Sequence, residues 1–171
     1  MMGYGCIQIQ NDKIDLVEKG VLNFSSYGDA FQKLSGIFQG CTNILHKCTP
    51  EEVAIEGPFF GKNVQSMLKL GRAQGVAIAA MVANEKPVFE YAPRKIKQAI
   101  TGNGNASKLQ VAGMINHLVT QEPDWSKKEL DATDAVATAI CHHFQTKTGS
   151  LPQEGAGSWE KFIRENPDKL G

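Results

Sequence analysis

Three carboxylates stand out in this 171-residue chain by their place in the pattern. Glu56 closes the run EVAIE (52–56), just before a Gly57-Pro58 turn. The C-terminal end of a strand is where α/β proteins tend to set functional groups. Asp131 and Asp134 are three residues apart, so a helix puts them on one face, and their neighbours Ala132, Ala135, Ala137 and Ala139 let that helix pack closely. By spacing alone the aspartate pair is explained by the preference for acids in a first helical turn, and Glu56 by solvation at a strand end. Taken together, three hard oxygen donors from a strand end and a helix face suit Mg²⁺ or Mn²⁺. Two such ions, about 3.5–4 Å apart, can activate a water and stabilise a leaving oxygen in phosphodiester hydrolysis.

Other clusters carry less chemistry. The segment GNGNAS (102–107) has the look of a phosphate-cradling loop but lacks the lysine-serine ending and does not follow a buried strand. It reads as a flexible hinge that lets Lys108 move. Cys6, Cys41, Cys48 and Cys141 form no Cys-x-x-Cys pair, and neither Cys141-His142-His143 nor His46 with Cys48 has zinc-finger spacing. Free thiols in a reducing, cytoplasmic compartment account for them.

The elements that would position the carboxylates follow from periodicity. GYGCIQIQ (3–10) alternates, Asn11-Asp12 supplies a turn, and 14–24 continues extended, which predicts a β-hairpin. From Tyr27 to Lys47, Phe31, Leu34, Ile37, Phe38, Cys41, Ile44 and Leu45 recur at helical spacing. Strands are expected at 52–56 and 87–91, a long helix over 63–84 between them, and a helix from Pro93 to about 100. Ser107 can cap a helix running to Leu118, and a last core helix spans about 128–145. Strands alternating with helices predict an α/β layer fold. The domain is expected to occupy 1–145, with a flexible linker and a short amphipathic helix over 146–171.

Formal net charge is zero, yet its distribution is uneven. Between Gly61 and Lys108 there are eight Lys/Arg against two acids, which leaves the remainder acidic by six. One basic third can hold a polyanion that the rest repels, although solvated helix faces also collect lysines. No signal peptide is visible and no apolar run approaches the ~20 residues of a membrane span.

The runs VAIEGPFFGKNVQSMLKLGRAQGVAIAA (53–80), FEYAPRKIKQAITGNGNASKLQV (89–111) and LDATDAVATAICHH (130–143) resemble, in order and spacing, the signature stretches of RuvC-type Holliday junction resolvases. That resemblance implies a ribonuclease H-like three-layer fold, a mixed sheet flanked by helices. It implies a metal-dependent endonuclease that acts as a homodimer on four-way junction DNA, alongside branch-migration proteins. Glu56, Asp131 and Asp134 then match three of four catalytic carboxylates holding two Mg²⁺ ions (Mn²⁺ is also suitable). Lys97 and Lys108 match basic residues near the scissile phosphate. Phe59 matches an aromatic that stacks on a base, and Arg72 a DNA-facing position. Lys62, Arg94 and Lys95 belong to the same basic third and are expected on the DNA backbone. The small residues between Gly71 and Ala83 imply a helix that also serves the dimer.

The chain departs from the family at its start. The family reaches Gly-Tyr-Gly after a strand ending in aspartate; here Gly3-Tyr4-Gly5 follows Met1-Met2 directly. The expectation is a sheet lacking its first, central strand and that strand's carboxylate. Activity would then be weak, or the protein would bind junctions without cutting them; a related nuclease acting on RNA is a further alternative.

Overall fold

A computed structural model of the chain describes residues 1–58, 63–121, 123, 125, 130–147 and 149. The expected linker and terminal helix beyond 149 lie outside the described residues, as do Phe59 and Lys62.

The hairpin forms as the sequence requires. β1 (Met2–Gln10) and β2 (Lys13–Leu22) pair antiparallel, with a register shift between Cys6 and Ile7. Asn11 and Asp12 both take positive φ, 50° and 61°. Two consecutive left-handed residues match the twist of paired strands, and Asn and Asp tolerate that conformation best after glycine.

The helix expected from Tyr27 begins instead at Ala30 (α1, Ala30–Cys48). Asp29 caps it by accepting from the Gln32 N–H at 2.8 Å, and Gln32 reaches back to the Asp29 N–H at 3.4 Å. This reciprocal box satisfies donors that a helix start leaves open. Ile37, Cys41 and Leu45 are buried along one stripe, whereas Phe31 is 81% exposed despite fitting the period.

β3 (Val53–Glu56) and β4 (Val88–Tyr91) pair parallel, with α2 (Val64–Ala83) as their crossover. α3 (Pro93–Thr101) starts on Pro93, whose missing N–H costs nothing there. α4 (Lys108–Leu118) is capped by Ser107 and Gln110 in a second capping box. α5 (Leu130–Lys147) ends two residues past the expected domain boundary.

The segment 102–107 is not a loose hinge. Gly104 N–H donates to the Gln98 side chain at 3.0 Å, Asn105 N–H to Asn103 at 3.0 Å, and Ala106 is 2% exposed. Backbone groups tied this way hold the α3–α4 connection fixed.

Two hydrophobic clusters lie on two faces of the strands. Ile14, Tyr91, Ile96, Ile100, Ile115 and Ile140 belong to the larger, built by α3, α4 and α5 against the strands. Ile37, Cys41, Ala77 and Ala80 form the smaller, between α1 and α2. The layers are therefore helix, strands, helix. Among the described residues the strands make an antiparallel pair and a separate parallel pair rather than one continuous mixed sheet.

α5 joins these halves. Ala132, Val136, Ala137, Ile140 and Cys141 are at most 1% exposed. β1 lies directly on this helix, because Gly3 and Gly5 have no Cβ. A methyl at Gly3 would fall on the Asp131 carbonyl, and one at Gly5 on the Val136 side chain. Gly3→Ala should therefore lift β1 off α5 and destabilise the fold by about 1–3 kcal/mol. Gly113→Ala, in a helix where an added Cβ meets nothing within 4 Å, should stabilise by about 0.5–1 kcal/mol. Paired urea melts check both signs; equal effects would remove the close-approach argument.

Candidate metal and nucleic-acid site

The strand β3 delivers Glu56 to its C-terminal end, and the first turn of α5 delivers Asp131 and Asp134. All three line one cleft of about 2470 Å³, together with Lys97 of α3 and Lys108 of α4. The Lys108 ammonium lies 2.8 Å from Asp134 Oδ2 and 3.6 Å from Asp131 Oδ1. It bridges the aspartate pair as a cation would. Its own pKa is raised, first by the hydrogen bond to Asp134, partly opposed by burial.

Glu56 is open to solvent along one side but crowded by protein on the others. Its pKa is raised above the ordinary glutamate value, first by desolvation and then by the nearby charge of Asp134; Lys108 and Lys97 pull it back. Those four groups thus sense one another, while Asp131 joins them through Lys108. Three carboxylates facing one spot repel, and two ammonium groups offset part of that repulsion.

The donor chemistry is all oxygen, which suits Mg²⁺ or Mn²⁺ better than zinc or copper. Lys108 shows that the aspartate pair accepts a positive charge. The set is not drawn tight: among the described residues no three His, Cys, Asp or Glu side chains are arranged as a ready-made metal cage.

Arg72 and Arg94 line the same cleft, as does Lys69. Lys95 does not. Its ammonium lies over the Tyr91 ring, 5.4 Å from the centroid, in a cation–π contact. Lys95 thus stands outside the cleft lining that holds Lys97 and Lys108.

One constellation escapes sequence reading. His142 Nε2 lies 2.8 Å from Glu52 Oε2 and His142 Nδ1 lies 2.7 Å from the Tyr91 hydroxyl. With Nε2–H donating to the carboxylate, Nδ1 accepts from the phenol. Desolvation first, then the charges of Cys141 and Glu52, push Tyr91 up to about 12, which keeps it a donor. The chain ties α5 to the start of β3 and the end of β4. No local spacing announces three residues so far apart. Gln74 adds a second tie, donating from Nε2 to the Glu56 carbonyl at 3.3 Å.

No helix among the described residues is long and apolar enough to cross a membrane. Residues 1–142 match the family model described as crossover junction endodeoxyribonuclease RuvC. A Cytophaga hutchinsonii protein of that name is 51% identical over 170 residues, spanning 99% of this chain and 82% of the relative. A Porphyromonas gingivalis protein of the same name is 47% identical over 173 residues, spanning 99% and 91%. Among solved structures, Thermus thermophilus RuvC superposes with a TM-score of 0.75 at 29% identity, covering 87% of this chain and 90% of that one. The same protein in complex with a Holliday junction substrate superposes at 0.74 and 26% identity, with the same coverage. Sequence and fold agree, and the chain belongs to the RuvC family of crossover junction endodeoxyribonucleases.

Proposed function

We propose that this protein resolves four-way DNA junctions by metal-dependent phosphodiester hydrolysis. The observation that carries the reading is the meeting of Glu56, Asp131 and Asp134 with Lys97 and Lys108 in one cleft. Glu56, Asp131 and Asp134 would hold Mg²⁺ or Mn²⁺, two ions in the proposed site. When bound, such ions supply Lewis-acid chemistry, acidifying a water and stabilising the leaving oxygen.

The protein's own residues do the rest. Lys108, which pairs with the aspartates in this structure, would neutralise a phosphate oxygen once those carboxylates held the ions. Lys97, beside Glu56, offsets charge that develops on the phosphorus centre. Lys69, Arg72 and Arg94 take the backbone on either side, giving affinity without reading sequence. Phe59 and Lys62, proposed for base stacking and a phosphate contact, lie outside the described residues. Lys95, whose ammonium lies over the Tyr91 ring in this structure, is proposed for a further contact to the DNA backbone.

A two-fold dimer matches the symmetry of the junction. Its support is α2, which exposes Val64, Leu68, Leu70 and Val82 and whose Gly71 and Gly75 have open space where a side chain would stand. Branch-migration proteins of the same process are the further partners proposed, in a cytoplasmic setting.

A second reading, binding without efficient cutting, is favoured by the untightened carboxylate set. The two separate on one experiment. Mg²⁺-dependent cutting of a labelled four-way junction by the 171-residue chain is expected to be slow, and Asp134→Asn should lower it by more than about 100-fold while junction binding persists. Binding without any cutting in either protein supports the second reading. Loss of binding in step with cutting would make Asp134 structural.

Lys97→Ala should weaken junction binding uniformly across sequences and reduce the salt slope of log K by about 1. An unchanged slope with slower turnover would place Lys97 on the transition state alone.

The raised pKa of Glu56 gives a pH signature in metal-free protein. A carboxyl whose folded pKa exceeds its unfolded value contributes stability below the unfolded value, and loses it as pH rises through the folded value. Glu56→Gln in EDTA should then raise Tm at pH 7, on the order of 1–3 °C. The gain should vanish as pH falls below the ordinary value of 4.5. A gain that persists in acid would refute the electrostatic cause.

A further inference from the structure

The Tyr91–His142–Glu52 chain bears on where Glu56 comes to rest. Its imidazole is held from three directions. Glu52, just before β3, meets Nε2 at 2.8 Å, and the Tyr91 hydroxyl, from the end of β4, meets Nδ1 at 2.7 Å. The Phe89 ring, two residues before Tyr91 and so on the same face of β4, packs on it with centroids 4.5 Å apart. His142 is 8% and Tyr91 1% exposed, so water is not there to replace the bond between them.

These contacts fix a register. Glu52 stands four residues before Glu56, about 13 Å at the rise of an extended chain. Asp134 stands eight residues before His142 on α5, about 12 Å at the rise of a helix. β3 runs against α5, with Glu52 at His142 and Glu56 within reach of the Asp134 charge. The two spans agree to about 1 Å. A strand pinned at His142 therefore delivers its last carboxylate beside the first turn of α5.

Apolar packing does not set that register by itself. Ala54 of β3 lies against a core that includes Val136, Ala137, Ile140 and Cys141 of α5, and such contact has no preferred direction. Hydrogen bonds do have one, and this chain supplies them across the seam. Tyr91 braces the far corner. It pairs with Glu56 in the parallel ladder, and its carbonyl accepts from the Gly57 N–H at 2.8 Å. The imidazole is thus joined to the start of β3 through Glu52 and to its end through Tyr91.

We propose that His142 is a positioning residue for the metal site, which rests on reading Glu56, Asp131 and Asp134 as the set that holds the ions. Held by Glu52 and Tyr91, it fixes how far β3 slides along α5 and so where Glu56 stands relative to the aspartates. It acts through its partners, donating from Nε2 and accepting at Nδ1. Groups that orient a metal ligand from behind typically govern about 10–100-fold in metal affinity.

Because His142 is buried, the test changes its partners. Mn²⁺ binding to the full chain is measured without DNA, from the paramagnetic signal of the free ion. Glu52→Ala and Tyr91→Phe should each weaken binding by about 10-fold or more. Glu52→Gln keeps an acceptor for the Nε2–H and should bind like the unsubstituted protein. Amide exchange at Val53 and Gly57, which donate to the Pro87 and Tyr91 carbonyls, should stay slow in all three variants, since those bonds need no side chain. Unchanged Mn²⁺ affinity in Glu52→Ala and Tyr91→Phe would overturn the proposal and leave the carboxylate site standing. Faster exchange at both amides alongside weaker binding would overturn it as well, making the tie a support for the strand pair as a whole. Equal losses in Glu52→Gln and Glu52→Ala would overturn it in favour of the Glu52 charge. Absence of Mn²⁺ binding in the unsubstituted chain, or binding undiminished by Asp134→Asn, would instead sink the reading of the site and this proposal with it.

Discussion

The approach of β1 to α5 is the contact on which the rest of this structure depends. Strand and helix meet backbone to side chain at Gly3 and Gly5, and no other residue type fits there. Because Gly3 sits on the Asp131 carbonyl, the same contact that seats the hairpin also sets the height of the first turn of α5. That turn carries the two aspartates. Close packing is thus not a background property of the fold: it places the chemistry. Ala132, Val136 and Ala137 extend the seam with small or β-branched residues, buried fully, so that the helix serves both half-sheets at once.

Electrostatics at the cleft oppose this packing. Glu56 is brought toward Asp134 from another element, and its raised pKa registers the cost of crowding like charges in a partly desolvated place. Lys108 relieves it by bridging the aspartates, and its ion pairs hold only because its helix begins at a capped Ser107. The α3–α4 connection, stitched by Gln98 and Asn103, gives that cap a fixed position. The charge of the aspartate pair is therefore compensated by an exposed lysine side chain. Surface ion pairs of this exposure contribute little to stability; the value of this one lies in what it holds in place.

Much of this was legible from local rules. Asn11-Asp12 announced the hairpin, Pro93 and Ser107 announced helix starts, and the resemblance of three segments announced the family. What escaped reading is nonlocal. Asp29 with Gln32 moves the start of α1 past Tyr27, a capping signal outweighed there by the apolar period. Phe31 fits that period yet faces outward, because the first turn of α1 overhangs the cleft. Lys95 and Lys97 look alike in sequence, but two residues along a short helix turn one to Tyr91 and the other to Glu56. The Tyr91–His142–Glu52 tie joins positions up to 90 residues apart, which no spacing rule reaches.

That tie fixes one end of β3 and leaves its other end to the charges of the cleft. β3 is fastened at its beginning, where Glu52 meets His142, and along β4 by its parallel ladder. Its far end, Glu56, is held by Gln74 at the carbonyl, while its carboxylate faces the charge of Asp134. Among the described residues no ladder joins it to β1, because the half-sheets do not pair. A strand free on one edge can lean in response to charge repulsion, and a lean at Glu56 changes its distance to both aspartates. Positive charge placed among the three carboxylates, as Lys108 already places it between the aspartates, offsets the repulsion that raises Glu56.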